Sequence, residues 1–409
     1  MSRLDLDNKT LFDILINARP RLLGLAAAID VVPGMKRDLV LHAGPPIGWS
    51  DMSEAMKAAI AGALVFDGQA SDLQRATQLA GSGRIRYAPA HDHHAAGAMS
   101  GIVTSTMPVF IVEDSVSKVR SFVTMNEGLG QALRFGANGP PVLERLRYMR
   151  DSLAPLLNRA MQLRGPIDLA SLVAEALRRG DECHNRNKAA TALVLREIAP
   201  ALVETGAPHA EIAAALRFII GNDHFFLSLS MAHAKAVTLS LEQAGIGSLV
   251  TVMAGNGREV GIRTSGAGAR WFTATAEVAR VRLFEGRTLE EATPTMGDSY
   301  VTEAIGLGGF ALSAAPAIAE FIGGTVAELA ERSELMREIA VGEHPLFVIP
   351  QLGFRGVPSG IDVIKVAERG IAPIVNTGVA SRHPGVGQIG AGIQSLPLAP
   401  FVAAAAALK

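Results

Sequence analysis

The pattern of apolar residues changes twice along the chain, and these changes limit the folds that the chain can adopt. From residue 1 to 140, short apolar runs such as Leu39–Leu41 alternate with helical patterns, which is typical of α/β structure. From 141 to 246 the apolar spacing is that of helices. After residue 247 the α/β pattern returns, for example at Leu249–Met253. We therefore predict an α/β (α+β) fold with a small helical domain (141–246) between two α/β domains (1–140 and 247–409).

Local signals predict where several elements begin and end. Asp168 is expected to cap a helix that stops at Gly180, and a second helix is expected over Ser50–Phe66. Pro200 lies inside a helical pattern and is predicted to kink or restart the helix. The uncharged segment Ala304–Ala319 is too short to span a membrane, so we interpret it as a buried, glycine-rich helix.

Composition excludes several classes of function. The net charge is −1 and only 19% of the 409 residues are charged, so the chain lacks the basic face that a nucleic-acid partner requires. The first residues lack the apolar core of a signal peptide, and the chain has 1 cysteine. We therefore expect a cytoplasmic protein without a membrane partner. The abundance of glycine and alanine suggests close packing, and a homo-oligomer is expected.

Two polar clusters interrupt the helical region. The first is Gly180–Asn187, and the second is Asn222–His224 about forty residues later. Their side chains are those used in acid–base chemistry and in the binding of amides and anions. We predict that both clusters line one cavity, with Cys183 as a small buried thiol. The catalytic candidates are His184, Asp181, His224 and Asp223, and the substrate-binding candidates here are Asn185, Arg186 and Asn222.

Three histidines outside these clusters are further candidates for substrate binding. His91 and His93 would share one face of a strand, and His42 directly follows a predicted strand. The structural alternative for His91 and His93 is a polar loop, and the alternative for His42 is a histidine at a tight proline turn. No metal is required, but a divalent metal at His91, His93 and Asp181 is the alternative that these residues leave open.

Other candidates have the side chains of an anion-binding site. Glu127 is expected either to pair with Arg134 or to leave that arginine free for a phosphate or carboxylate. An asparagine or arginine of this kind is commonly structural when taken alone. The number of such residues in a chain poor in charge nevertheless favours a small anionic ligand. The substrate-binding candidates in this group are Asn126, Glu127, Arg134, Asn256, Arg263, Arg270, Arg355 and Asn376.

Several motifs are long enough to identify a resemblance. They are His-Ala-Gly-Pro-Pro at 42–46, Asn-Glu-Gly-Leu-Gly at 126–130, Gly-Asp-Glu-Cys-His-Asn-Arg-Asn at 180–187, Gly-Asn-Asp-His-Phe-Phe at 221–226 and Asn-Thr-Gly at 376–378. Over essentially its whole length the chain resembles the YlbE-like family. This resemblance implies two α/β domains with a helical domain, an FdrA-like partner, and a role in allantoin catabolism as a subunit of an oxamate carbamoyltransferase. That enzyme interconverts oxalurate plus phosphate with oxamate plus carbamoyl phosphate.

The resemblance and the residues together lead to a hypothesis about roles. Arg263 and Arg270 would hold the phosphate or carboxylate, and His184 or His224 would transfer the proton. Asp181 and Asp223 would orient the imidazoles, while Asn185 and Asn222 would bind the amide. No organic cofactor is expected. The rival hypotheses are a metal-dependent amidohydrolase or lyase and a non-catalytic ligand-binding subunit of an FdrA-like complex.

Overall fold

The predicted α+β class is confirmed by a computed structural model, which describes residues 3–279, 281–319 and 324–408. The strands are short and form several separate sheets. They are β1 (Pro20–Ala27), β2 (Leu39–His42), β3 (Arg86–Pro89), β4 (Ala95–Ala96), β5 (Pro108–Asp114), β6 (Arg120–Thr124), β7 (Ile167–Asp168), β8 (Val250–Asn256), β9 (Glu259–Thr264), β10 (Phe272–Thr275), β11 (Arg282–Leu283), β12 (Met296–Gly297), β13 (Ala340–Ile349), β14 (Arg355–Ile361), β15 (Ile374–Ala380) and β16 (Gln388–Ser395).

The helices are concentrated in the middle third of the chain, as the apolar spacing predicts. They are α1 (Arg3–Asn17), α2 (Ala28–Val31), α3 (Glu54–Phe66), α4 (Leu73–Gly81), α5 (Pro140–Tyr148), α6 (Ala154–Arg164), α7 (Leu169–Arg178), α8 (Lys188–Glu204), α9 (His209–Ile220), α10 (Phe225–Ala244), α11 (Val301–Ala304), α12 (Val326–Leu335), α13 (Val363–Arg369) and α14 (Ala399–Leu408).

A five-stranded sheet and the helices of the middle region share one core. The strand order is β4-β6-β5-β1-β7, with β4 parallel to β6 and the other neighbours antiparallel. Helix α10 packs on β5 and β6, and α6 packs on β1. Helix α10 is buried along nearly its whole length because apolar and small residues occupy all of its faces. The main apolar cluster therefore contains residues from all three predicted domains, and the boundaries at 140 and 246 stay a prediction.

The second half of the chain forms smaller antiparallel sheets around a second apolar cluster. One sheet has the order β10-β9-β8-β12, another has the order β11-β16-β15, and β13 pairs with β14. Strand β12 leads through residues 298–300 into α11, so this short segment passes between the two halves of the molecule. It carries two of the buried carboxylates described below.

Several local predictions are confirmed because they depend on neighbouring residues only. Asp168 caps α7 through a hydrogen bond from the Ser171 amide. The helix predicted over Ser50–Phe66 is α3, which begins later, at Glu54. Helix α8 continues through Pro200, so the proline does not restart the helix.

Other local predictions are wrong. Residues 308–310 and 312–314 form short 3₁₀ turns after α11, so Ala304–Ala319 is not one buried helix. The left-handed backbone at Gly306 and Gly308 prevents a continuous helix. His91 and His93 lie in a 3₁₀ turn that follows β3, not in a strand.

No single helix among the described residues is long and apolar enough to cross a membrane. Only α9 and α10 taken together, with a bend of 73° between them, have sufficient length and apolar composition.

Candidate functional site

The first polar cluster forms a compact loop between α7 and α8. Cys183 has a left-handed backbone (φ 62°), and its amide donates to the Arg186 carbonyl at 3.1 Å. Asp181 is buried and accepts a hydrogen bond from the Ala190 amide at 2.8 Å, so it caps the start of α8. The Cys183 thiol is buried, and burial raises its pKa well above the usual value. A reactive thiolate is therefore disfavoured.

The second polar cluster lies beside the first, as predicted. It connects α9 to α10 at their bend, and the Thr191 hydroxyl of α8 contacts the Asp223 carbonyl at 3.4 Å. An open cleft of about 200 Å³ lies where the two loops meet, with an ion pair of 3.2 Å between Lys188 and Asp223. The cleft is lined by Leu129, Asn185, Arg186, Lys188, Asp223, His224, Ala317 and Ile318.

His184 and Glu303 form a buried pair at this site. His184 Nδ1 donates to Glu303 Oε1 at 2.9 Å, and both side chains are almost fully buried. Burial opposes protonation of the imidazole, but the negative charge and hydrogen bonding of Glu303 outweigh it and raise the pKa of His184. Since Nδ1 is engaged by Glu303, Nε2 is the ring atom that can exchange a proton with a ligand.

Two glycines leave room for this carboxylate. A Cβ at Gly308 would lie 2.3 Å from Glu303 Oε1, and the Gly309 amide donates to the same oxygen at 3.1 Å. The amide of Asn376 on β15 donates to it as well, at 2.9 Å. Two backbone amides and His184 therefore share Glu303 Oε1, which fixes the position of the carboxylate.

A second carboxylate, Glu182, connects the loop to β15. Its Oε1 accepts from Asn376 Nδ2 at 2.5 Å, and its two oxygens also accept from the amides of Asn185 and Arg186. Burial raises the pKa of Glu182 to about 7, against the opposing charge of His184. The buried Oδ1 of Asn376 has no hydrogen-bond partner in the described part of the chain. The site thus combines two groups with raised pKa values and one free amide oxygen.

His224 completes the site on the side of the second loop. Burial, together with the charges of Arg134 and His184, lowers the pKa of His224 to about 3, so this imidazole is neutral at physiological pH. Asn222 Nδ2 donates to the Asn126 carbonyl at 2.9 Å, which attaches the loop to the region around Arg134. We refer to His184, Glu303, Glu182, Asn376 and His224 as the His184 site.

A separate buried cluster surrounds Lys235 of α10. Lys235 is fully buried, its Nζ lies 4.0 Å from Glu242 Oε2, and burial lowers its pKa. Arg263 Nη1 contacts Asp92 Oδ1 at 2.9 Å, and its Nε lies 3.7 Å from Glu242 Oε1. We call this group, together with His42, His91 and Asp298, the Lys235 cluster.

Asp298 connects the histidines of the Lys235 cluster to the backbone. Its two oxygens accept from the amides of Gly44 and Gly97 at 2.8 and 3.0 Å, so it is not the helix cap that its position before α11 suggests. His91 Nε2 lies 3.4 Å from Asp298 Oδ1. Burial lowers the pKa of both His42 and His91, and neutral imidazoles are therefore expected at pH 7.

The structure places the candidate site residues predicted from sequence in different regions of the molecule. The first group lies in or beside the His184 site: His184, Asn185, Arg186, Asn222, Asp223, His224, Asn126, Glu127, Arg134 and Asn376. His42, His91 and Arg263 lie in the Lys235 cluster instead. The proposed joint role of Arg263 with the two polar loops is therefore not supported by the geometry.

Four other candidates have plain structural contacts. Arg270 is exposed and lies over the Phe272 ring, and Arg355 is exposed and pairs with Glu343 and Glu334. Asn256 accepts from the backbone of the turn between β8 and β9. His93 is partly buried, and its Nδ1 contacts the Pro33 carbonyl at 2.6 Å.

The contacts around three carboxylates differ from those expected. The carboxylate that orients His184 is Glu303, whereas Asp181 caps α8 and Asp223 pairs with Lys188. Glu127 accepts from the backbone amides of Leu133 and Arg134 rather than forming an ion pair with the guanidinium. No group of three or more His, Cys, Asp or Glu side chains in the described ranges is arranged to hold a metal ion, and His91, His93 and Asp181 have separate partners.

Sequence reasoning missed Glu182 and Glu303 in the His184 site, and Lys235 and Glu242 in the second cluster. The available signal was a charge in an apolar context. Glu303 is the only charged residue in the run Tyr300–Ala319, and Lys235 is the only charged residue in the first seventeen positions of α10. A charged side chain in such a segment is expected to have a buried partner.

Comparison with known proteins shows which family the chain belongs to. Residues 85–299 match the family described as oxamate carbamoyltransferase subunit AllG. The chain is also 39% identical over 404 residues to oxamate carbamoyltransferase subunit AllG of Escherichia coli K12, covering 98% of the chain and 96% of that protein. The chain belongs to the AllG family. This agrees with the resemblance to an oxamate carbamoyltransferase subunit, while the YlbE-like name is not among the matches.

Two further relatives extend the AllG comparison. The uncharacterized protein YahG of Escherichia coli K12 is 42% identical over 394 residues, which cover 96% of the chain and 84% of that protein. A crystal structure of a conserved protein of unknown function from Enterococcus faecalis V583 is 41% identical. It superposes with a TM-score of 0.96 over 99% of this chain and 97% of that one. The fold of this AllG-family chain is therefore shared with an experimentally determined structure.

Proposed function

We propose that this AllG-family chain is a carbamoyltransferase subunit in which the His184 site carries out proton transfer. The buried His184–Glu303 pair next to the cleft is the observation that carries the proposal. Family membership supports it, since the AllG relative is described as an oxamate carbamoyltransferase subunit. The proposed reaction converts oxalurate plus phosphate to oxamate plus carbamoyl phosphate, and the reverse.

In the proposed forward reaction, a phosphate oxygen attacks the ureido carbonyl carbon of oxalurate. The bond from that carbon to the amide nitrogen of the oxamate half breaks, and this nitrogen takes up a proton as it leaves. Glu303 raises the pKa of His184 and so favours the imidazolium form, from which Nε2 can donate that proton. In the reverse direction the neutral imidazole accepts the proton from oxamate.

Substrate orientation is assigned to amide and cationic side chains of the first polar loop, α8 and β15. The unpartnered Oδ1 of Asn376 can accept from the carbamoyl NH₂ group. Arg186 and Lys188 at the cleft supply positive charge for an anionic substrate. His224 is neutral because of its low pKa, which suits a hydrogen bond to the substrate rather than acid catalysis.

A second candidate function is a ligand-binding subunit whose reaction is completed by another chain. The word "subunit" in the description of the AllG relative favours a complex. An FdrA-like partner, a homo-oligomeric assembly, a cytoplasmic location and the lack of an organic cofactor stay predictions. The rival metal-dependent amidohydrolase has no supporting ligand arrangement among the described residues.

The decisive experiment measures phosphate release from carbamoyl phosphate in the presence of oxamate. The chain is assayed alone and after co-expression with an FdrA-like protein, and oxalurate is identified by mass spectrometry. We expect activity that depends on this chain and is lost with His184→Gln. If the complex were equally active with His184→Gln, the acid–base role would be wrong. Activity confined to the complex and insensitive to changes at Glu182, His184 and Asn376 would favour the second candidate.

A further inference from the structure

A small cavity lies behind the His184 site, between the five-stranded sheet and helices α3, α5 and α10. Its free volume is about 40 Å³. A single water needs roughly 10–15 Å³ of such volume, so the cavity has room for about three water-sized groups. Most of its wall is apolar, whereas one end is formed by Asn126, Glu127 and Arg134.

Arg134 is an unusual cation because it is buried without a carboxylate partner. Its side chain is 9% exposed, and burial lowers its pKa to about 10, so it remains charged at neutral pH. The carboxylate of Glu127 is nearby but is occupied by two backbone amides. Within the described residues, Nη1 of Arg134 has no hydrogen-bond partner.

A second donor without an acceptor lies at the same end of the cavity. Asn126 is 2% exposed, and its Nδ2 has no hydrogen-bond partner in the described part of the chain. Its Oδ1 is engaged by the Gly128 amide at 2.9 Å, so the orientation of the amide group is fixed. The negative charge of Glu127 acts on Arg134, but no acceptor reaches Arg134 Nη1 or Asn126 Nδ2 among the described residues, and leaving buried donors unpaired is costly.

We propose that this cavity binds a short monocarboxylate of two or three carbons. Its carboxylate would accept from Arg134 and Asn126, and its methyl or ethyl group would lie against the apolar wall formed by side chains such as Ile102, Leu133 and Met149. The single positive charge of Arg134 matches one carboxylate, and the apolar wall disfavours phosphate or a dicarboxylate. This inference goes beyond the carbamoyl-transfer proposal and does not depend on it.

The test is a titration of the purified full-length chain with ¹³C-labelled acetate and propionate, followed by NMR and by the shift in Tm. Inorganic phosphate and hexanoate at equal ionic strength are the comparison ligands. We expect both short carboxylates to bind and raise the Tm, and phosphate and hexanoate to have no such effect. Binding of phosphate as strong as that of acetate would overturn the proposal, as would no binding of acetate.

Two variants locate the site. Arg134→Met removes the charge with little change in length and should weaken acetate binding at least tenfold. Ala98→Val adds two methyl groups to the cavity wall, keeps Arg134, and should block propionate even if Arg134→Met fails to fold. The matched control is Arg84→Met at an exposed arginine, which should bind like the unmodified chain. Unchanged binding in Ala98→Val would place the carboxylate elsewhere.

The outcome is separable from that of the proposed reaction, since binding is measured without carbamoyl phosphate. A chain that transfers carbamoyl groups but does not bind acetate would contradict only the cavity proposal. A chain that binds acetate at Arg134 but supports no carbamoyl transfer would contradict only the proposed function.

Discussion

The His184 site and the Lys235 cluster are both buried and both contain charged side chains, but they differ in how firmly their protons are held. In the His184 site the surroundings raise the pKa of His184, and burial raises the pKa of Glu182 to about 7. In the Lys235 cluster burial lowers the pKa of His91, and the charges of Lys235 and Arg263 lower the pKa of Glu242 despite its burial.

This difference indicates separate purposes for the two regions. Groups whose pKa lies near the ambient pH can gain and lose protons during a reaction. In the Lys235 cluster, His91 and Glu242 are shifted away from that range, so they keep one charge state and can act as fixed electrostatic links between elements. The open cleft also reaches the His184 site through Asn185 and His224. We therefore expect changes in the first region to alter turnover and changes in the second to alter stability.

The largest effect is expected for His184→Gln. Glutamine can still donate a hydrogen bond to Glu303 but cannot transfer a proton, so kcat should fall by about 10²–10⁴. Turnover of the reconstituted complex and the Tm of the chain are measured together. The control His209→Gln changes an exposed histidine. Equal losses in both variants would show that the assay does not report on this site.

The next largest effect is expected for Lys235→Met. Removing the buried cation leaves Glu242 with Arg263 and Thr251, so the free energy of unfolding should fall by about 2–3 kcal/mol rather than the larger loss of a fully unpaired charge. Urea unfolding gives this value, with exposed Lys36→Met as the control. Turnover per folded molecule should stay within about threefold. A loss of turnover without a loss of stability would erase the distinction between the two regions.

A smaller, pH-dependent effect is expected for Glu182→Gln. Because the folded pKa of Glu182 is raised from 4.5 to about 7, its stabilising contribution is present at low pH and is lost as the pH rises through 7. The variant lacks this loss, so its stability relative to the unmodified chain should improve by about 2 kcal/mol between pH 5 and pH 8. Urea unfolding at each pH measures this, with exposed Glu144→Gln as the control. A difference that stays constant with pH would refute the raised pKa.

The smallest effect is expected for Asp223→Asn. Asp223 and Lys188 are about half exposed, with side-chain exposures of 54% and 62%, and pairs of this kind contribute about 0–1 kcal/mol. Stability should change by less than about 0.5 kcal/mol. The effect on turnover should be far smaller than that of His184→Gln, measured in the same assay. A loss as large as that of His184→Gln would return Asp223 to the catalytic role that its position in the sequence suggested.

The sequence predicted features that depend on neighbouring residues. The cap at Asp168 and the strand at Leu39 follow from side chains within a few positions, which is why they could be located without coordinates. The meeting of the two polar loops was also predictable, since α8 and α9 lie between them and short connections keep successive helices close.

The partner of His184 could not be predicted in this way. Glu303 is 119 positions away, and its position depends on the path from β12 through α11 and on the two glycines that follow. The assignment of Arg263 failed for a similar reason, because its neighbours Asp92 and Glu242 come from distant elements. Contacts that form only through tertiary packing leave little trace in local spacing.

The tight fit of Gly308 against Glu303 provides a simple diagnostic for the wider family. Any side chain at this position would need space that the carboxylate occupies, so a homologue with a larger residue there must have moved or replaced the acid. Such a homologue would lose the carboxylate that raises the pKa of the imidazole. Members that use this chemistry can thus be separated from members that have lost it by reading one position in their sequences.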